Sequence, residues 1–151
     1  PMGATLCADW IEEAFASEDR AATFFHGHSF TANPIGCAAA CASLQIFDDE
    51  PVFARIAVIA RIHSERLAQL RHHAAVGEVR QIGTIAAIEL FSEDPGYLSE
   101  LRPRLHRFFL QRGVLLRPLG NVVYVLPPYV VAADELHRVH DVIAEAIRTL
   151  L

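Results

Sequence analysis

The run Asn33-Pro34-Ile35-Gly36-Cys37-Ala38-Ala39-Ala40-Cys41-Ala42-Ser43 constrains the fold more than any other part of the sequence. Asparagine is a strong N-cap, and proline suits the first helical position, where its missing N–H costs nothing. A helix therefore starts at Pro34, and the pattern carries it to about Phe47. Gly36, Ala38, Ala39, Ala40, Ala42 and Ser43 leave it almost without bulk, so it can lie very close to a neighbouring element. Upstream, Met2 to Ala8 reads as a short apolar strand. Trp10, Ile11, Ala14 and Phe15 mark a helix, and residues 23–32 a loop. These pieces do not close on themselves. Residues 1–50 are expected to form the edge of a larger domain whose remainder lies upstream.

Asp48-Asp49-Glu50-Pro51 restarts the chain into a long helix over 51–73, with Val52, Ile56, Ile59, Leu67 and Leu70 on its apolar face. Residues 51–75 are read as a connecting helix. Beyond it, Val79–Ile82 and Thr84–Phe91 are β-rich and divided by Gly83, and Ser92-Glu93-Asp94-Pro95-Gly96 is a turn. Leu98, Leu101, Leu105, Phe108 and Phe109 predict a helix that Gly113 stops and Pro103 kinks or restarts. Val114–Arg117 and Val122–Leu126 read as strands around a Pro-Leu-Gly-Asn turn. Leu136, Val139, Ile143, Ile147 and Leu150 share one face of a closing amphipathic helix. The order from residue 76 to 151 is then β-β-α-β-β-α, a small α+β domain.

Composition narrows the function. The hydrophobic fraction of 52% and charged fraction of 21% leave apolar surface to be covered in an oligomer or by further chain. A net charge of −5 argues against a nucleic-acid or anionic-membrane partner. No apolar run reaches membrane length, and no secretory signal pattern opens the chain. Cys7, Cys37 and Cys41 read as reduced thiols of a cytoplasmic protein. All thirteen basic residues are arginine. Chemistry that needs a lysine amine therefore cannot come from this chain.

The segment His26-Gly27-His28-Ser29-Phe30-Thr31-Ala32-Asn33-Pro34 has the strongest functional claim. Gly27 permits close approach of a ligand to backbone, and Ser29 and Thr31 bring hydroxyls. Such a loop suits phosphate, although it also reads as a capped polar connection. Arg117 ends an apolar stretch, where a guanidinium grips a carboxylate in bidentate fashion or pairs with a surface acid. Tyr124 either points its hydroxyl into a pocket or sits in the core. Metal readings are weak: Cys37 and Cys41, or His137 and His140, share helical faces without a second pair at zinc-site spacing. His63 and His140 read as structural, and Arg102, Arg104 and Arg107 as a solvated face.

Two stretches together carry a resemblance. His26-Gly-His-Ser-Phe-Thr-Ala-Asn-Pro-Ile-Gly-Cys-Ala-Ala-Ala and Gly113-Val-Leu-Leu-Arg-Pro-Leu-Gly…Val-Tyr-Val-Leu-Pro-Pro-Tyr resemble the C-terminal part of class III pyridoxal-phosphate (PLP) aminotransferases of the α/β fold type I. The likeness covers essentially the whole chain and is strongest to the biotin-biosynthesis branch. That branch moves the amino group of S-adenosylmethionine through PLP to 8-amino-7-oxononanoate. The resemblance implies that residues 1–50 are the C-terminal edge of the large PLP-binding domain and 76–151 the small domain. It implies a homodimer in which the 26–34 loop reaches into the neighbouring subunit's site. Ser29 stands where the family often has threonine and binds the cofactor phosphate, with His28 contributing. Gly27 matches a glycine that contacts substrate. Arg117 matches the arginine that receives the substrate carboxylate, and Tyr124 lies near it. The family's Schiff-base lysine falls before the position of Pro1. A longer enzyme is thus expected, and an inactive isolated chain. Another class III (ω-amino acid) aminotransferase, or a stand-alone binding module, are the alternative readings.

Overall fold

The computed structural model describes residues 2–92, 96 and 98–151. The chain divides into two compact units, Pro1–Glu50 and Pro51–Leu151.

In the first unit, α1 (Asp9–Glu13) and a 3-10 turn (Arg20–Ala22) precede α2 (Pro34–Asp49). The predicted start of α2 is found: Asn33 Oδ1 accepts the Ile35 and Gly36 N–H groups, both at 3.0 Å. The predicted strand Met2–Ala8 is not; that segment is irregular and exposed. A lone strand has no neighbour for its N–H and C=O groups, and the described residues of this unit contain no second one. None of the described residues of this unit is buried. Leu6, Phe25 and Ile35 are 91%, 81% and 80% exposed.

The second unit carries a core. It contains α3 (Val52–Leu70), β1 (Val76–Ile82), β2 (Ile85–Leu90), α4 (Leu101–Gln111), β3 (Val122–Val125) and α5 (Ala133–Leu150). The strands form one antiparallel sheet in the order β1-β2-β3. α3 packs on α5 and on β1 and β2, and α4 packs on α5. Alternation along β2 buries Ala86, Ile88 and Leu90, and along β3 it buries Val123 and Val125. These meet Ile59, Ile62, Leu105, Phe109, Leu136, Ile143 and Ile147 in one cluster. Gly83, with φ of +52°, takes the first place of the two-residue turn between β1 and β2, the position a II′ turn gives to glycine.

Three expectations need correction. The order is β-β-α-β-α: residues 114–118 form no strand, and only an isolated bridge, Leu119 to Val122, precedes β3. Val114 N–H is taken by Phe109 C=O at the end of α4, and Pro118 has no N–H to offer a ladder. Pro103 neither kinks nor restarts α4. The helix begins at Leu101, so Pro103 lies in its first turn, where N–H groups lack intrahelical acceptors. The helix expected from Leu98 begins three residues later. The predicted turn at Ser92–Gly96 rests on residues 93–95, which lie outside the described residues.

Candidate functional site

The 26–34 loop is folded by its own polar groups. His28 N–H donates to Thr31 Oγ1 at 3.1 Å, and Thr31 N–H donates back to the His28 carbonyl at 3.0 Å. Phe30 N–H donates to His28 Nδ1 at 3.2 Å. That last bond fixes the neutral ring's tautomer: Nδ1 accepts, so Nε2 carries the proton and remains a donor. Among the described residues, the N–H groups of Gly27 and Ser29 and the Ser29 hydroxyl make no hydrogen bond. The loop satisfies itself and leaves a set of donors exposed, which is the chemistry an anion needs. Ala32, at the junction with the Asn33 cap, holds a left-handed φ of +53°. A non-glycine residue there costs on the order of 1 kcal/mol, strain that concentrates at ligand-binding segments. A cleft of about 570 Å³ adjoins the loop, with His28, Thr31 and Asn33 among its walls. Gly27 and Ser29 are not among those walls.

In the second unit, Arg117 is exposed and, among the described residues, has neither an ion pair nor a hydrogen bond. It borders a cleft of about 450 Å³ with Ser99, Arg102, Pro103, His106 and Pro118. A free guanidinium at a concave surface can bind a carboxylate. Tyr124 sits elsewhere, on β3 opposite Ala87 of β2, facing away from the core side that Val123 and Val125 occupy. It is half-buried and does not border the Arg117 cleft. The structure therefore gathers Gly27, His28 and Ser29 in one loop, but does not put Arg117 and Tyr124 on one cleft.

Sequence reasoning missed His106. Its Nδ1 lies 2.7 Å from the Leu116 carbonyl, so the ring donates N–H to the peptide just before Arg117. Arg102 and His106 stand four apart and share a helix face, but nothing in that spacing points to the Leu116 carbonyl.

The two core histidines are one unit. His63 Nδ1 and His140 Nε2 are 2.8 Å apart, and His63 Nε2 is 3.1 Å from the Thr84 carbonyl. A carbonyl only accepts, so His63 donates from Nε2 and accepts at Nδ1, and His140 donates from Nε2. Both rings are neutral in this chain of bonds, and among the described residues the buried His140 Nδ1 has no partner. Burial lowers the pKa of His63. Burial, then the neighbouring His63, lowers that of His140 to about 3. Among the described residues, no three His, Cys, Asp or Glu side chains come together as a metal site. No helix among them is long and apolar enough to cross a membrane.

The family described as Aminotransferase class-III matches residues 1–147. The adenosylmethionine-8-amino-7-oxononanoate aminotransferase of Synechococcus elongatus is 41% identical over 147 residues, spanning 97% of this chain and 34% of the relative. The crystal structure of the Methanocaldococcus jannaschii enzyme of that name superposes with a TM-score of 0.84 at 32% identity, over 93% of this chain and 33% of that one. An (S)-enantioselective ω-transaminase from Thermomicrobium roseum superposes with a TM-score of 0.83 at 27% identity, over 95% of this chain and 33% of that one. The chain thus spans about a third of the length of the relatives it matches.

Proposed function

The chain belongs to the class-III aminotransferase family, and from that premise we propose that it forms part of a PLP-dependent enzyme of biotin biosynthesis. The complete enzyme would transfer the amino group of S-adenosylmethionine to 8-amino-7-oxononanoate, giving 7,8-diaminononanoate. The observation that carries this reading is the 41% identity to the Synechococcus elongatus aminotransferase over 97% of this chain. We read residues 1–50 as the edge of the large domain, 51–75 as the connecting helix and 76–151 as the small domain. We also read the enzyme as a cytoplasmic homodimer. The three thiols, unpaired in the chain, accord with a reducing compartment.

The residues present fit the phosphate end of PLP. Ser29 would donate its hydroxyl and N–H to the phosphate, and His28 its Nε2 proton, while the bond from Phe30 holds the imidazole in that tautomer. Gly27, with no side chain, would let substrate approach its N–H. The family reading sends this loop to the partner subunit's site. Arg117 would hold the substrate carboxylate as a bidentate pair and so orient the distant carbonyl, while Tyr124, which does not border the Arg117 cleft, would meet the substrate away from its carboxylate. When bound, PLP supplies the electron sink through which an amino group leaves one carbon skeleton and joins another. The amine that anchors the cofactor cannot come from this chain, which has no lysine.

The test is an assay of the complete gene product, loaded with PLP and offered 8-amino-7-oxononanoate with S-adenosylmethionine or alanine as donor. Diaminononanoate formed from S-adenosylmethionine is the expected result. Turnover with alanine and none with S-adenosylmethionine would instead make it an ω-amino acid transaminase.

A further inference from the structure

We infer that His106 is the positioning residue of Arg117, setting its backbone so that the guanidinium is presented ready-made to a carboxylate. This rests on the reading of Arg117 as the carboxylate anchor.

The segment 115–118 has no ladder to hold it. Among the described residues its one hydrogen bond is the 2.7 Å contact from His106 Nδ1 to the Leu116 carbonyl. That carbonyl and the Arg117 N–H belong to one planar peptide, so holding the oxygen fixes the plane from which Arg117 departs. On the other side stands Pro118, which is buried and restricts the residue before it to extended conformations. Arg117 is thus clamped at both of its peptide bonds while its side chain remains exposed and unpaired. The clamp has a firm base. His106 lies on α4 between core residues, and Leu105 and Phe109 are fully buried. A bidentate pair is sensitive to the direction of the guanidinium fork, so a fixed backbone there lowers the cost of binding. His106 also borders the same cleft as Arg117, which puts the support and the supported group at one concave surface.

The test uses the complete holoenzyme and three substitutions chosen for where their donors stand. His106→Leu has no donor. His106→Gln places its amide near the far ring nitrogen, and His106→Asn places its amide near Nδ1. The leucine and glutamine variants are expected to raise KM for 8-amino-7-oxononanoate about ten-fold, with kcat changed less than about two-fold. The asparagine variant should return KM to within about three-fold of the parent. A readout independent of turnover is the Arg117 Nε–H resonance titrated with nonanoate, which should saturate about ten-fold later in the leucine and glutamine variants. Arg117→Lys, measured in parallel, separates the two layers. An unchanged KM there overturns the carboxylate reading itself. A raised KM there, with no change in the leucine and glutamine variants or no rescue by asparagine, overturns the clamp alone.

Discussion

At the scale of single residues, the buried His63–His140 pair ties stability to pH. Desolvation disfavours both imidazolium forms, and His140 also faces Arg66 and His137, which oppose a further positive charge, and Asp141, which favours it. The Thr84 carbonyl favours the charged form of His63 but does not outweigh its burial. An unfolded histidine titrates near 6.5, whereas folded His140 stays neutral down to about 3. Below pH 6.5 the unfolded chain therefore binds protons that the folded chain refuses. The stability present above that pH is lost as pH falls toward 3. From pH 7 to pH 5 the loss from His140 alone is about 2 kcal/mol. Urea unfolding at the two pH values should show it, and His140→Leu should reduce the pH dependence by about that amount. An undiminished slope in the variant would remove His140 as the source.

At the scale of elements, the end of α4 shows how local sequence sets up the candidate site. Gly113 sits at φ +72°, its N–H bonded to the Leu110 carbonyl, and Val114 N–H reaches back to Phe109. That left-handed turn stops the helix and sends the chain into 114–118, toward Arg117. A Cβ at Gly113 would meet only the guanidinium end of Arg138, at an ordinary contact distance of 3.6 Å, so the cost of substitution is conformational, not steric. Gly113→Ala is expected to destabilise by about 1–2 kcal/mol in urea unfolding, and Gly113→Asn by less. No change in the alanine variant would mean that the turn tolerates a side chain.

The helix stop at Gly113 was legible because only a few residue types suit that backbone, and the Asn33-Pro34 start for the same reason. The strand reading of 114–117 failed for the opposite reason. Val-Leu-Leu is as apolar as any strand, but whether it pairs depends on distant partners, and here α4 takes its hydrogen bonds through Phe109 and His106. Met2–Ala8 failed likewise, for want of a neighbouring strand. The anion loop and Arg117 were visible as residue types. His106 was not, because its role depends on a carbonyl ten residues away.

At the scale of the whole molecule, the two units differ in what can hold them. Residues 51–151 enclose a continuous apolar cluster from all three strands and all three helices. About a hundred residues with such a core is enough for an autonomous domain. Residues 2–50 bury none of their described side chains, and α2, at 16 residues, is near the length at which an isolated helix is only marginally populated in water. Hydrophobic burial, the main driving force of folding, is absent there. The expectation is therefore that residues 51–151 expressed alone unfold cooperatively in urea, with an m-value of about 1 kcal/mol/M, and keep the pH dependence of the histidine pair. Residues 1–50 alone should show little helix by circular dichroism at 25 °C. A well-folded 1–50 peptide, or a 51–151 chain that melts without cooperativity, would contradict this division. The contrast bears on function: the part that carries Arg117 has a core of its own, whereas the part that carries Ser29 has none among its described residues and relies on the local hydrogen bonds of its loop.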